Sequence, residues 1–242
     1  MAEGAMRIED LTERFGISLM TAHRDLDEPA GRGLLRKTRG IASAAPTSLI
    51  GSSDVYRAQR QSSEKRAIAA AYVEPGQAVF FDDSTTVLQM GPHLATRVPL
   101  TAITNSLTLM QALKGMRDIA LLGLGGHFHT WSNAFMGPVT TAEIRRLGAD
   151  LVFLSMTAIT DDMVFHQSPE MVETKRAMFD SSARRIPLAD HTKFDRRALY
   201  AMVALDAFDL VIIDAATPPR MIEQMRTKGI EGQVAGPVVD EP

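Results

Sequence analysis

The sequence predicts an α/β fold in which a small N-terminal winged helix-turn-helix precedes a larger, mainly parallel sheet. Three observations predict it. Two short amphipathic helical patterns lie before residue 30. A basic segment and then a charge-free stretch follow them. Beyond that stretch, short apolar runs alternate with helical patterns, which is typical of parallel strands buried on both faces.

Composition limits the class of protein. The chain has 242 residues, 45% of them hydrophobic, with 26 Lys and Arg against 29 Asp and Glu, for a formal charge of -3. This favours a globular protein of one or two domains. The absence of cysteine excludes disulfides, Cys-ligated zinc and thiol catalysis. We expect no membrane span and no secretory signal, and hence a cytoplasmic protein.

The N-terminal elements are a helix pair and a hairpin. A helix is predicted over residues 7–15, where apolar side chains share one face and Gly16 suits the stop. Ser18 can cap a second helix, which Pro29 is expected to end. A strand and turn are predicted over residues 34–40. This arrangement is a helix-turn-helix candidate, although a helical hairpin with a solvated basic loop fits the periodicity equally well.

A helix-turn-helix would present the start of its second helix to base edges in the major groove, and the following hairpin to phosphates. Base contacts are therefore expected from Ser18, Thr21, His23 and Arg24, and phosphate contacts from Arg36, Lys37 and Arg39.

The remaining elements alternate along the chain. Strands are predicted over residues 78–81, 100–103, 119–124, 151–154, 186–188 and 210–213. Helices are predicted over residues 64–73, 86–94, 106–114, 139–146, 169–181 and 218–228. The domain prediction is accordingly 1–45 for the winged helix-turn-helix, 46–63 for a linker and 64–236 for the sheet domain.

Small polar residues and glycines follow several predicted strands, at the edge where open parallel sheets bind ligands. The hydroxyls and backbone N–H groups at a helix start would favour an anion such as phosphate. Each residue alone can equally be a helix cap, a turn or a surface charge. The candidate ligand-binding residues are Asp82, Ser84, Thr85, Thr86, Thr104, Asn105, Gly125, Gly126, Lys175, Asp190 and Lys193.

Both halves of the chain resemble one family. The run Met20-Thr21, Arg24-Asp25-Leu26 and Gly33-Leu34-Leu35-Arg36 resembles the winged helix-turn-helix of the DeoR family of bacterial transcription regulators. The C-terminal sensor domain of that family is resembled by Asp82–Thr86, Thr104-Asn105, Gly125-Gly126, Lys175–Met178 and Asp190–Phe194.

The resemblance implies a Rossmann-like sensor domain similar to ribose-5-phosphate isomerase and the CoA transferases. In the family, this domain typically binds phosphorylated sugars or related metabolites, and the ligand usually relieves repression. The expected partners are therefore a double-stranded DNA operator, a small phosphorylated effector, and further copies of this chain in a homodimer or homotetramer. No cofactor, metal site or catalytic residue is expected.

Three departures from the family lie in the N-terminal part of the chain. His23 stands where a permanent cation is usual, and Pro29 where Leu is usual. The family also has a helix before the segment that begins at Arg7, for which the six preceding residues are too few. We therefore expect the apolar face of Ile8, Leu11 and Leu26 to be partly uncovered, and this module to be poorly packed, mobile or held by a neighbour.

The alternative function is a sugar-phosphate isomerase on the same fold. Asp82, Lys175 and Asp190 are the residues available for its proton transfers. The acidic signature of that enzyme has only a weak echo here, in Thr160-Asp161-Asp162.

Overall fold

The computed structural model describes residues 5–31, 35–38, 40–44, 72–194 and 196–235. The chain divides into two compact units, residues 1–60 and 61–242. The predicted linker, residues 46–63, lies outside the described residues, and the predicted domain bounds remain a prediction.

The N-terminal unit contains the predicted pair of helices and a three-stranded antiparallel sheet in the order β1-β3-β2. Gly16, at a φ of 63°, ends the first helix with its N–H on the Thr12 carbonyl, a backbone conformation that glycine adopts without strain. The elements are β1 (Ala5–Arg7), α1 (Ile8–Phe15), α2 (Leu19–Gly31), β2 (Leu35–Thr38) and β3 (Ile41–Ala44).

One expectation for this unit holds in part, because Leu11 and Leu26 stay partly uncovered while Ile8 does not, and another, that Pro29 ends α2, is wrong. Ile8 is buried with Ala22 and Ala42, while Leu11 and Leu26 are half-buried against them. Strand β1 pairs with β3 and brings the start of α1 against it, so Ile8 is covered. Pro29 does not end α2, which continues to Gly31. The missing proline N–H removes one helical hydrogen bond, and few others follow it so close to the helix end.

The second unit is built on a seven-stranded sheet in which every neighbouring pair is parallel. The predicted α/β fold class is confirmed. In spatial order, the strands are β15 (Gly232–Val234), β14 (Val211–Ile213), β12 (Ser182–Ala189), β9 (Ala149–Leu154), β4 (Ala78–Phe81), β5 (Leu100–Thr104) and β6 (Ile119–Gly123).

Both faces of this sheet are buried, which explains the continuous apolar runs. In β4, Val79 and Phe81 enter one hydrophobic cluster while Phe80 enters the other. In β9, Leu151 and Phe153 enter the first of these clusters, while Val152 and Leu154 enter the second. Successive side chains point to opposite faces of a strand, so a strand covered on both sides must be apolar throughout.

Helices follow most of the strands. They are α3 (Thr85–Leu88), α4 (Leu107–Leu113), α5 (Pro138–Ile144), α6 (Pro169–Asp180) and α7 (Pro219–Thr227). The predicted helix over residues 86–94 is split into α3 and a 3-10 helix, Gly91–Thr96, because Pro92 has no N–H to continue the α-helix. Residues 64–71 lie outside the described residues, and Tyr72 and Val73 are not helical.

Two smaller antiparallel sheets were not predicted. One is the hairpin of β7 (His127–His129) and β8 (Ala134–Met136). The other joins β10 (Ala158–Thr160), β11 (Met163–His166) and β13 (Tyr200–Ala204). In the described part of the chain, no helix has the length and apolar character needed to cross a membrane.

Candidate DNA-binding surface and effector site

Ser18 and Thr21, two of the predicted base-contacting residues, form the cap of α2. The Ser18 hydroxyl accepts the Thr21 backbone N–H at 3.1 Å and lies 2.8 Å from the Thr21 hydroxyl. This is the capping geometry expected at a helix start. Ser18 is exposed and Thr21 half-buried, so the cap lies at the surface.

The exposed face of α2 carries both charge and apolar surface. His23 and Arg24 are exposed, and the Arg24 guanidinium lies 3.4 Å from Asp25 Oδ1. Two residues not predicted as contacts, Leu19 and Met20, are 49% and 83% exposed. Apolar side chains at this place in a recognition helix contact thymine methyl groups. Met20 and Arg24 are four residues apart and so share one face of the helix, which could have identified Met20 as a contact residue from the sequence.

Lys37, one of the predicted phosphate-contacting residues, binds within its own unit. Its ammonium lies 2.5 Å from Asp27 Oδ1 and donates to the His23 carbonyl at 3.1 Å. The Lys37 side chain is only 22% exposed as a result. It links the strand β2 to the helix α2. The side chain of Arg36 and all of Arg39 lie outside the described residues.

At the carboxyl edge of the parallel sheet, three charged side chains form a buried cluster. The Lys175 ammonium, from α6, contacts Asp82 Oδ2 and lies 3.1 Å from Asp83 Oδ1. The three side chains are 1–2% exposed. A buried charge is tolerated only when paired, and this lysine faces two carboxylates. Asp83 was not predicted as a site residue, although it adjoins Asp82 in the same loop.

The Asp82 carboxylate also accepts hydrogen bonds from the loops that follow two neighbouring strands. Its Oδ1 accepts the Ser84 N–H at 2.9 Å, and its Oδ2 accepts the Ser155 N–H at 2.8 Å. Because Ser155 follows β9, the carboxylate bridges the ends of β4 and β9. The Ser155 hydroxyl donates to the Thr86 hydroxyl at 3.5 Å, which joins the same two loops a second time.

The loop that enters α3 combines capping with buried hydroxyls. The Ser84 hydroxyl accepts the Val87 N–H at 3.2 Å, so Ser84 is the N-cap. Thr85 and Thr86, the first two helical residues, are buried. Both residues belong to the first turn of this four-residue helix.

Thr104 and Asn105 end the neighbouring strand β5. The Thr104 hydroxyl accepts the Ser106 N–H at 3.1 Å, and the Asn105 side-chain amide donates to the Phe135 carbonyl at 2.9 Å. The Phe135 N–H donates in return to the Asn105 carbonyl at 2.9 Å. Asn105 therefore joins β5 to the hairpin strand β8.

The glycine pair after β6 makes room for a helix. Thr140 of α5 donates its hydroxyl to the Gly125 carbonyl at 2.7 Å. Gly126 has a φ of 144°, and a Cβ there would lie 2.1 Å from the Thr140 hydroxyl oxygen. The missing side chain of Gly126 thus accommodates Thr140, whereas a Cβ at Gly125 would meet open space.

Asp190 follows β12, the strand that β9 separates from β4. Its Oδ1 accepts the Thr192 N–H at 3.0 Å, and the Lys193 ammonium lies 3.9 Å from its Oδ2. The next strand, β14, ends at Asp214, whose carboxylate accepts the His191 N–H at 2.9 Å and lies 2.7 Å from His191 Nδ1. Asp214 was not among the predicted site residues.

These side chains meet at one edge because of the strand order. From β4 the chain proceeds to β5 and β6 on one side, and β9, β12 and β14 lie on the other. The order therefore reverses between β4 and β9, where the Asp82 carboxylate bridges two loops. Crevices at such a switch point are the usual ligand sites of open parallel sheets.

Two other groups of polar side chains are the acidic pair that weakly echoes the isomerase signature and a pair of histidines in β7. Asp161 and Asp162 form the two-residue turn between β10 and β11, both at positive φ, and Asp162 contacts Lys228. The rings of His127 and His129 are 4.7 Å apart. Within the described ranges, no group of three potential metal ligands is present.

Comparison with known proteins identifies both units. Residues 1–47 match the DeoR-like helix-turn-helix domain, and residues 60–215 match the DeoR C-terminal sensor domain. The chain belongs to the DeoR family of transcription regulators. As a DeoR-family regulator it binds DNA and is not an isomerase, which decides between the two functions that the sequence left open.

Two curated relatives span nearly the whole DeoR-family chain. The transcriptional repressor AccR of Agrobacterium fabrum is 32% identical over 89% of this chain and 85% of its own length. The glycerol-3-phosphate regulon repressor of Escherichia coli is 29% identical over 93% and 90%. Among solved structures, ribose 5-phosphate isomerase from Plasmodium falciparum is 13% identical, with a TM-score of 0.39 over 54% of this chain and 52% of that one.

Proposed function

We propose that this regulator is a repressor whose affinity for its operator falls when a phosphorylated sugar or related metabolite binds at the carboxyl edge of the sensor sheet. The observation that carries the proposal is the buried polar cluster at the switch point. Burying charged groups costs several kcal/mol unless they are closely paired. A sheet that served only as a scaffold would gain stability from apolar residues there, so the cluster indicates a binding site.

The phosphate is expected at the start of α3. Thr85 and Thr86 place two hydroxyls and the first helical N–H groups at that point. The Lys175 ammonium is shared by two carboxylates, so the cluster around it keeps a negative balance and does not suit a phosphate. Lys193 is the remaining candidate cation among the predicted site residues.

The DNA-binding half supports an operator complex with two copies of the chain. Thr21, His23 and Arg24 lie at the start of α2, and we expect them to meet base edges in the major groove. Two such helices read the two half-sites of an operator, hence a homodimer or homotetramer. The names of both curated relatives support repression, and one name links that protein to the glycerol 3-phosphate regulon. A protein of this function works in the cytoplasm.

The test measures DNA binding with and without candidate effectors. Fluorescence anisotropy with DNA from upstream of the gene gives the operator Kd, and a panel of sugar phosphates and glycerol 3-phosphate is then added. An effector must bind the free form more tightly than the DNA-bound form, and couplings of this kind amount to about 5–150-fold in affinity. Thr85→Ala should bind operator as the wild type does and respond less to the effector.

Thr227→Ala is the matched control. Thr227 ends α7 and its exposed hydroxyl donates to the Gln224 carbonyl, so this variant should retain the full response. An operator Kd unchanged by every phosphate would contradict effector control. Tighter operator binding with effector, together with a rise in reporter transcription, would contradict repression.

A further inference from the structure

We propose that Asp83 reads the sugar end of the effector: its Oδ2, together with Oδ1 of Asn105, accepts hydrogen bonds from effector hydroxyl groups. This inference rests on the proposed function and adds to it the chemistry of the second half of the ligand. The phosphate loop at Thr85 would hold the anionic end, and Asp83 would hold the hydroxylated end.

Two unsatisfied acceptors carry the inference. Asp83 Oδ2 and Asn105 Oδ1 are buried, and each lacks a hydrogen-bond partner among the residues that the structure describes. The opposite atom of each side chain is held in place: Asp83 Oδ1 lies 3.1 Å from the Lys175 ammonium, and Asn105 Nδ2 donates to the Phe135 carbonyl. The orientation of both groups is therefore fixed, and each offers an acceptor only.

The two side chains belong to neighbouring strand ends. Phe81, the last residue of β4, pairs with Thr104, the last residue of β5, in parallel register. Asn105 directly follows its strand, and Asp83 follows its own strand by two residues. Both therefore stand at the same edge of the sheet, and Asp83 directly precedes Ser84, the N-cap of α3.

The chemistry of these atoms selects the ligand group. A buried acceptor without a donor destabilises the protein, and a donor that reaches it restores the hydrogen bond. The oxygens of a doubly ionised phosphate monoester are acceptors and cannot supply one, and two carboxylates facing one ammonium repel an anion. Sugar hydroxyls are uncharged donors. A hydroxyl bonded to a carboxylate in an enclosed site makes a charge-assisted bond, which is stronger than a bond between neutral groups.

The competing role for Asp83 is structural, as a second counter-ion for Lys175. The two roles predict opposite behaviour of the free protein. If Asp83 is needed to balance Lys175, its removal lowers the melting temperature. If Asp83 serves the ligand, Lys175 keeps Asp82 as its partner and the removal of an unsatisfied carboxylate leaves the free protein as stable or more stable.

The experiment compares the full-length wild type with Asp83→Ala, Asp83→Asn and a control, Asp150→Ala. Asp150 is an exposed carboxylate that accepts the Ala78 N–H at 2.8 Å, at the opposite end of β4. Melting temperatures are measured without ligand, and calorimetric Kd values with ribose 5-phosphate, fructose 6-phosphate, glycerol 3-phosphate and inorganic phosphate.

We expect Asp83→Ala to melt at or above the wild-type temperature. The hydroxylated phosphate that binds the wild type best should bind Asp83→Ala about tenfold more weakly, since one charge-assisted hydrogen bond is lost. Asp83→Asn should fall between the two. Inorganic phosphate should bind neither Asp83 variant more weakly than the wild type, because the loss of a carboxylate removes repulsion and no hydroxyl contact is at stake. The control should keep the wild-type affinity for every compound.

Each failure is distinguishable. A melting temperature of Asp83→Ala below that of the wild type assigns Asp83 to structure and overturns the inference. Equal affinity of the wild type and Asp83→Ala for the hydroxylated phosphate also overturns it, while the proposed function stands. If the wild type binds no hydroxylated phosphate, both the proposed function and the proposed hydrogen bonds to effector hydroxyl groups are wrong.

Discussion

Replacing Asp82 with alanine should destabilise the sensor unit far more than the loss of a surface carboxylate would. The Asp82 carboxylate accepts the backbone N–H groups of Ser84 and Ser155 in a site that is 1% exposed. Alanine leaves both N–H groups buried without an acceptor. Each unsatisfied buried donor costs about 1–3 kcal/mol, so Asp82→Ala should lose roughly 4 kcal/mol. The Lys175 ammonium keeps Asp83, so no unpaired buried charge is added.

The assay is thermal unfolding followed by circular dichroism, with amide hydrogen exchange as the local readout. For a unit of this size, 1 kcal/mol corresponds to about 2–4 °C, which predicts a fall of roughly 8–16 °C. Asp82→Asn keeps one acceptor oxygen and should lose about half as much. The Ser155 amide should exchange faster in both variants. Asp150→Ala, whose carboxylate accepts one N–H at an exposed site, is the control. A fall in melting temperature of less than about 3 °C for Asp82→Ala would contradict the role of Asp82 as the acceptor of two buried N–H groups.

Two further predictions concern packing and the DNA-binding unit. Gly126→Ala should lose about 2–4 kcal/mol in urea denaturation, because its φ is strained for alanine and the added Cβ meets a threonine hydroxyl, whereas Gly125→Ala should stay close to the wild type. Equal stability of these two variants would count against this packing. Asp27→Ala should change the free energy of unfolding by less than about 1 kcal/mol. Because it releases Lys37, the slope of log Kd for DNA against log salt concentration should steepen by about one. Asp10→Ala, an exposed acid on α1, should leave that slope unchanged, and an unaltered slope for Asp27→Ala would show that Lys37 does not reach phosphate.

The central sheet was predictable because its signal is local. Strand β4 coincides with the predicted run over residues 78–81, and α6 ends one residue before the predicted bound. Each predicted element carries an apolar run or a helical period, bounded by glycine, proline or a capping residue, whereas the exposed edge strand β15 has no such run and was not predicted. The strand β12 begins four residues before its predicted run, at Ser182. Ser182 is polar although buried, and Ala183 and Arg184 are exposed, so the first half of the strand lacks a continuous apolar run.

The small antiparallel sheet β10-β11-β13 was not predictable in this way. Each of its strands has three to five residues, and β11 pairs with β13 more than thirty positions along the chain. Runs so short carry little periodicity, and their partners are chosen by tertiary contacts. The proline in α2 shows the converse limit, because a local signal for a helix end was present and the rest of the unit overrode it.

The fold class, the DeoR family and the strand ends at which polar residues gather all follow from the order of the residues along the chain. They follow because periodicity, capping residues and motif spacing depend on neighbours in the sequence. The way in which those residues share their hydrogen bonds depends instead on the tertiary structure. It gave Asp82 two backbone donors from different loops, bound Lys37 to Asp27, placed Thr140 against Gly126 and left one oxygen of Asp83 unsatisfied. These outcomes depend on which strands lie side by side, and the strand order of a sheet is set by packing between distant segments.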